Sequence, residues 1–156
     1  MRTTPAGLAL IRSFEGCKLI SYRDLSGIWT CGYGCTRGVG PDTVWTQEEA
    51  DTQFLLQVQI MEDLVLKCLP GIGLNDNQLS ALTSFAYNVG FGHKGVKDGL
   101  QVLASGQPST LLKCLLANDF QGAALEFPKW DHVGGQVCAG ILRRRQAEAA
   151  LFEEAA

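Results

Sequence analysis

Apolar residues recur at helical spacing over most of this chain and alternate strand-like over one short stretch near its start, a contrast that sets the expected architecture. Leu8, Ile11 and Phe14 follow Thr4-Pro5, a capping hydroxyl ahead of a proline at the first helical position, and Gly16 closes the helix just after Glu15. From Lys18 to Gly40 the pattern changes. KLISYR alternates, Asp24-Leu25-Ser26-Gly27 signals a turn, and IWTCGYG is rich in β-branched and aromatic residues, so a small antiparallel sheet of two or three short strands is expected. Thr46-x-x-Glu49 is a capping box for a helix carrying Phe54, Val58, Met61, Val65 and Cys68. At about twenty residues it would span ~30 Å, the width of a small domain. Asn75-x-x-Gln78 opens another helix, which Gly90 ends; shorter helices are expected near 97–105, 109–117 and 119–127, and a last one from about Ala139 to Glu153.

A sheet segment followed by a long helix and then short helices is an α+β arrangement. The 156 residues suffice for one domain, read here as two lobes: a small sheet lobe over about 15–45, and a helical lobe of about 70–156 plus the N-terminal helix. Composition adds mainly exclusions. A net charge of −3 and a pI near 5.3 leave no electrostatic footprint for a nucleic acid, and no apolar run approaches the ~20 residues that cross a bilayer. The N-terminal stretch does not read as a secretory signal, which places the protein in the cytoplasm until something releases it. Six cysteines are many for that compartment, but Cys68 and Cys114 fall in apolar helical series, so mostly reduced structural thiols are expected rather than a zinc site.

The chemistry concentrates between Phe14 and Thr36. Glycoside hydrolysis needs one carboxyl that still holds a proton near neutral pH and a second that is ionised. Glu15, at a helix C-terminus where the dipole disfavours negative charge, fits the first role, and Asp24, in a polar turn, fits the second. Thr30, on the following strand, could hold a water. Taken singly these are a surface glutamate, a turn aspartate and an ordinary strand threonine. Only their joint spacing points to function.

That spacing, Glu15 then eight residues, Asp24 then five, Thr30 and a GYG corner, closely resembles the signature of the phage-type lysozymes, the endolysins that cut bacterial peptidoglycan. ALIRSFEG, TQEEAD, QLSALTSFAYNVG, STLLKCL, EFPKW and GILRRRQAE are similar to that family in order along nearly the whole chain. The resemblance implies a lysozyme-like fold, with a sheet lobe joined by a long helix to a mainly helical lobe. It also implies hydrolysis of the β-1,4 link between N-acetylmuramic acid and N-acetylglucosamine, with no metal or organic cofactor. Glu15 would be the general acid, Asp24 the base or charge-stabilising carboxylate and Thr30 the water-positioning hydroxyl, and an inverting single displacement follows from that last role. Asn88 resembles a cleft-lining substrate position, although as a residue near a helix end it could equally serve as a cap. The resemblance further implies a monomer that depends on a separate membrane-permeabilising holin. Cys35 departs from the family, which usually carries a histidine after the glycine corner. Of Arg143, Arg144 and Arg145, successive positions ~100° apart on a helix, one is expected near Glu15 and at least one in solvent. A catalytically silent wall-binding protein and a chitin-directed glycosidase are the competing readings. The retained acid, acid and hydroxyl set argues against the first, and product release from chitin oligomers tests the second.

Overall fold

The computed structural model describes residues 2–24 and 26–154. Helix α1 spans Pro5–Glu15, capped by the Thr4 hydroxyl accepting from the Gly7 N–H. Strands β1 (Lys18–Arg23) and β2 (Trp29–Gly32) pair antiparallel, Tyr22 opposite Thr30 and Arg23 opposite Trp29, with a register shift between Lys18 and Tyr22. Two strands form, and a single bridge from Ile20 to Val44 supplies the edge that a third would have taken. Leu25, part of the expected turn, lies outside the described residues.

Helix α2 runs from Gln47 to Cys68 with both halves of its capping box in place, and α3 spans Asp76–Val89 behind the Asn75 and Gln78 box. Helices α4 (Thr110–Leu116) and α5 (Phe120–Glu126) follow the Ser109 and Asp119 caps, a 3-10 turn covers Phe127–Lys129, and α6 is Ala139–Glu153. The expected helix near 97–105 does not form. Its place is taken by a looped segment in which the Leu100 N–H donates to the Gly90 carbonyl and the Gly99 N–H to the Val102 carbonyl. The reason is close backbone packing: a side chain at Gly99 would meet Gly92 backbone atoms well inside contact distance. A helix cannot fold back on its own preceding loop that tightly. The Gly134-Gly135 pair, expected as a flexible link, turns a short hairpin between β3 (His132–Val133) and β4 (Gln136–Val137), both glycines at positive φ as a two-residue hairpin turn requires.

The main core lies under α3, α4, α5 and α6, where Phe127 sits edge-on to Phe85 at 5.5 Å and Phe152 lies 5.4 Å from Phe127. A second, small cluster of Ile11, Phe54 and Val58, flanked by Leu8, Tyr33 and Tyr87, joins α1 and α2 to the corner after β2. Each fully buried aromatic or aliphatic side chain contributes about 1.5–3 kcal/mol. The consequence for function is that α1 packs on α3 and α6 while its C-terminal residue lies against the corner after β2, so Glu15 is delivered where the sheet segment meets the helices. This is the lysozyme-like α+β arrangement, a small sheet lobe joined by a long helix to a helical lobe.

Candidate active site

Glu15 ends α1 because Gly16 follows it at φ +63°, a left-handed conformation that a side chain resists. The carboxyl is 18% exposed and is met from two sides. From α6, Arg144 Nη1 donates to Glu15 Oε1 at 2.5 Å. From the corner after β2, Gly34 approaches so closely that a methyl there would sit 3.2 Å from Glu15 Oε2, and its φ of +82° excludes most residues in any case. The GYG sequence is therefore what lets the backbone close over the acid.

Asp24 is built from its own turn. Its Oδ1 accepts from the Ser26 N–H at 2.8 Å and the Ile28 N–H at 2.9 Å, and its backbone N–H donates to the Ile28 carbonyl. The Asp24 Oδ2 carries no hydrogen bond among the described residues. Thr30 is buried on β2, and its hydroxyl donates to the Ile28 carbonyl at 3.1 Å, leaving the oxygen lone pairs as acceptors. Tyr22 stands opposite Thr30 on the ladder, and its phenol is pushed up by burial first and then by the charges of Glu15 and Asp24.

The far wall is helical. A pocket of about 280 Å³ is lined by Phe14, Glu15, Asn88, Ile141, Arg143 and Arg144. It continues, through Asn88 and Ile141, into a hollow of about 450 Å³ that adds Asp98, Trp130 and His132. Asn88 lies inside α3, two residues before the Gly90 cap, so it is not the cap; its Oδ1 accepts from Arg145 Nη2 at 3.1 Å. Trp130 does two things, packing edge-on to Phe85 at 5.3 Å while facing the hollow. Such a concave site, wide enough for sugar units and bordered by an acid held against a guanidinium, suits acid-assisted cleavage of a polar polymer.

Among the three arginines, Arg144 is the one that reaches Glu15, Arg145 is fully buried beside it, and Arg143 is exposed on the rim. Sequence reading missed the residue that organises them. Glu148 is fully buried and accepts from Arg144 Nε at 3.1 Å, from Arg145 Nη2 at 3.2 Å and from Ser84 Oγ at 2.7 Å. Its i,i+4 and i,i+3 spacing from the two arginines was the available signal. Cys35 is buried, its thiol 3.9 Å from Tyr87 Oη, and since Tyr87 spends its own hydrogen on the Tyr33 carbonyl at 2.6 Å, the thiol is the donor. Burial pushes the Cys35 thiol up, which keeps it in the neutral form. All six cysteines are unpaired.

The phage lysozyme family profile matches residues 12–148. The chain is 36% identical to the endolysin of Acyrthosiphon pisum secondary endosymbiont phage 1 over 159 aligned positions, covering 99% of this chain and 100% of that one. It is 39% identical to the endolysin of Bacillus phage B103 over 97% of this chain but 54% of the relative, so it spans about half the length of that protein. Among solved structures, the active form of the phage P1 endolysin superposes with a TM-score of 0.81 at 27% identity, covering 97% of this chain and 85% of the other.

Proposed function

This chain belongs to the phage lysozyme family, enzymes of the muramidase class that lyse peptidoglycan, and on that premise we propose the bond, the mechanism and the residues. The bond is the β-1,4 link from N-acetylmuramic acid to N-acetylglucosamine. Glu15 protonates the departing glycosidic oxygen, Asp24 acts as base or charge-stabilising carboxylate on the other side, and Thr30 holds the attacking water with its free lone pairs. Asn88 lines the sugar path. The observation that carries this reading is the seat of Glu15, a mostly buried carboxyl at a helix end, opening on a pocket and closed over by a glycine corner.

Asp24 supports the pairing of roles, because two backbone N–H donors hold its Oδ1 in place and leave Oδ2 open for a base or stabilising carboxylate to use. Inversion follows if the water on Thr30 attacks directly. Proton NMR of the first products tests that: the α-anomer appearing first is expected, and the β-anomer would mean a covalent intermediate and retention. A turbidity-loss assay on outer-membrane-permeabilised Gram-negative cells, comparing wild type with Glu15→Gln, tests the assignment of the acid. Near-normal lysis by the variant would sink it.

The same reading extends to the biology of release. A monomer of one domain in two lobes, about 15–45 and about 70–156 with α1, would wait in the host cytoplasm and reach the wall when a holin opens the membrane. No described helix is long and apolar enough to cross a membrane. Coexpression with and without a holin, followed by the time of culture lysis, measures that dependence.

A further inference from the structure

Arg144 is nearly fully buried and its guanidinium is held at three points: Nη1 on Glu15 Oε1 at 2.5 Å, Nη2 on the Ser84 carbonyl at 3.2 Å and Nε on Glu148 Oε1 at 3.1 Å. The guanidinium is a rigid planar fork, so fixing two of its nitrogens aims the third. Two of those anchors lie behind it, away from the pocket. Glu148 is 0% exposed and is not among the residues lining the Glu15 pocket, so it has no route to a substrate.

We propose that Glu148 is a positioning residue for the reacting acid: a buried counter-charge that pins Arg144 from behind and sets how much of the arginine's charge reaches Glu15. This rests on Glu15 being the general acid. Such an acid must begin the reaction with its proton on, and every uncompensated cation beside it opposes that. Arg144 alone would do so, and Arg145, 0% exposed in the same cluster, adds a second cation. Glu148 is the anion that both arginines share.

The donors around Glu148 suit an anion, against a burial that on balance raises its carboxyl. Arg144 Nε, Arg145 Nη2 and Arg145 Nε are three of its four polar contacts; the first two donate to Oε1, as arginine nitrogens must, and the third is an ion-pair contact 3.0 Å from Oε2 without hydrogen-bond geometry. The fourth is the Ser84 hydroxyl. Burial pushes Glu148 towards its protonated form and the two arginines oppose it, while burial also pushes Arg145 down to about 10. Around Glu15 stand Tyr87 from α3, Tyr22 from β1 and Cys35 from the corner after β2, all three pushed up by burial and so neutral at working pH, while Cys138 and the exposed Arg143 line the rim of the same pocket. Glu126 and Lys129, at the ends of α5 and the 3-10 turn that packs on α6, pair with each other. Among the buried charges at Glu15, the balance therefore rests with Arg144, Arg145 and Glu148, and Arg143 adds only a solvated cation at the rim.

The experiment is Glu148→Gln, read by the pH dependence of kcat/KM on soluble glycan strands and by the carbon-13 signal of the Glu15 carboxyl. With the counter-charge gone, the alkaline limb and the Glu15 midpoint should both move down by about one pH unit with KM unchanged. Glu148→Asp, which keeps the charge, should return them most of the way. A midpoint that stays put while only Tm falls would leave Glu148 a merely structural residue and overturn the proposal. If the glutamine variant does not fold, Arg145→Met and the charge-balanced Arg145→Met/Glu148→Gln pair carry the test. The first should raise the midpoint and the second should lower it again, whereas equal midpoints in the two overturn the proposal. Should Glu15 not be the acid, the wild-type rate profile will fail to follow its carboxyl titration, and the carboxyl signal will still report whether Glu148 governs it.

Discussion

The two acids of the candidate site are held in opposite ways. Asp24 is satisfied within its own turn, by the N–H groups of Ser26 and Ile28 two and four residues on. Glu15 is satisfied from 129 residues away, by Arg144, which depends in turn on Glu148 and on the Ser84 carbonyl of α3. A locally held carboxylate is insensitive to how the lobes pack. A carboxyl held across the fold reports on all of it, and its chemistry can be changed by residues that never touch substrate. The pairing gives the site one carboxyl fixed by its own turn and one held by the packing of distant helices.

Breaking the long-range half should have the largest effect. Glu15→Gln is expected to reduce lysis by about a thousandfold or more, since it would remove the proposed proton donor, with near-UV circular dichroism unchanged. Arg144→Ala should come next, costing about 3–5 kcal/mol of stability in urea unfolding, because Glu148 would be left buried with one cation fewer. On the local half, Asp24→Asn should keep the turn, as the amide oxygen can still accept from Ser26 and Ile28, while lowering kcat about a hundredfold with Tm within a few degrees of wild type. Loss of stability on the scale of Arg144→Ala would show that Asp24 is not locally held after all.

The smallest effect belongs to another locally held carboxyl, Glu49, which receives the Thr46 N–H and hydroxyl at the start of α2 and is pushed down by them. A depressed folded value means that its contribution is present above the ordinary glutamate range and is lost as pH falls through the folded value. Glu49→Gln should therefore lower Tm slightly at neutral pH, where the contribution is present, and converge on wild type at acid pH, giving a slightly flatter Tm-against-pH curve.

Much of the fold could be read from local chemistry. The Thr4, Thr46, Asn75 and Asp119 caps mark helix starts that the structure bears out, because a capping side chain bonds to a backbone N–H two or three residues away. The segment 97–105 was misread for the complementary reason. Its apolar spacing resembles a helix, but its backbone hydrogen bonds go to Gly90, Phe91 and its own turn, partners that only the folded chain supplies. Gly134-Gly135 carries the local signature of a two-residue hairpin turn, since glycine takes the positive φ that such a turn requires.

The spacing of Glu15, Asp24 and Thr30 and their placement on a helix end, a turn and a strand are properties of the sequence itself, since each depends on neighbours within a few residues. The choice of Arg144 over Arg143 and Arg145, the burial of Glu148 between two arginines, the Asn88 contact with Arg145 and the approach of Gly34 to the acid were decided only by the tertiary structure. Three consecutive arginines look alike along a chain. It takes the packing of α6 against α3 and α1 to bury two of them, leave one at the rim, and so give the acid its partner.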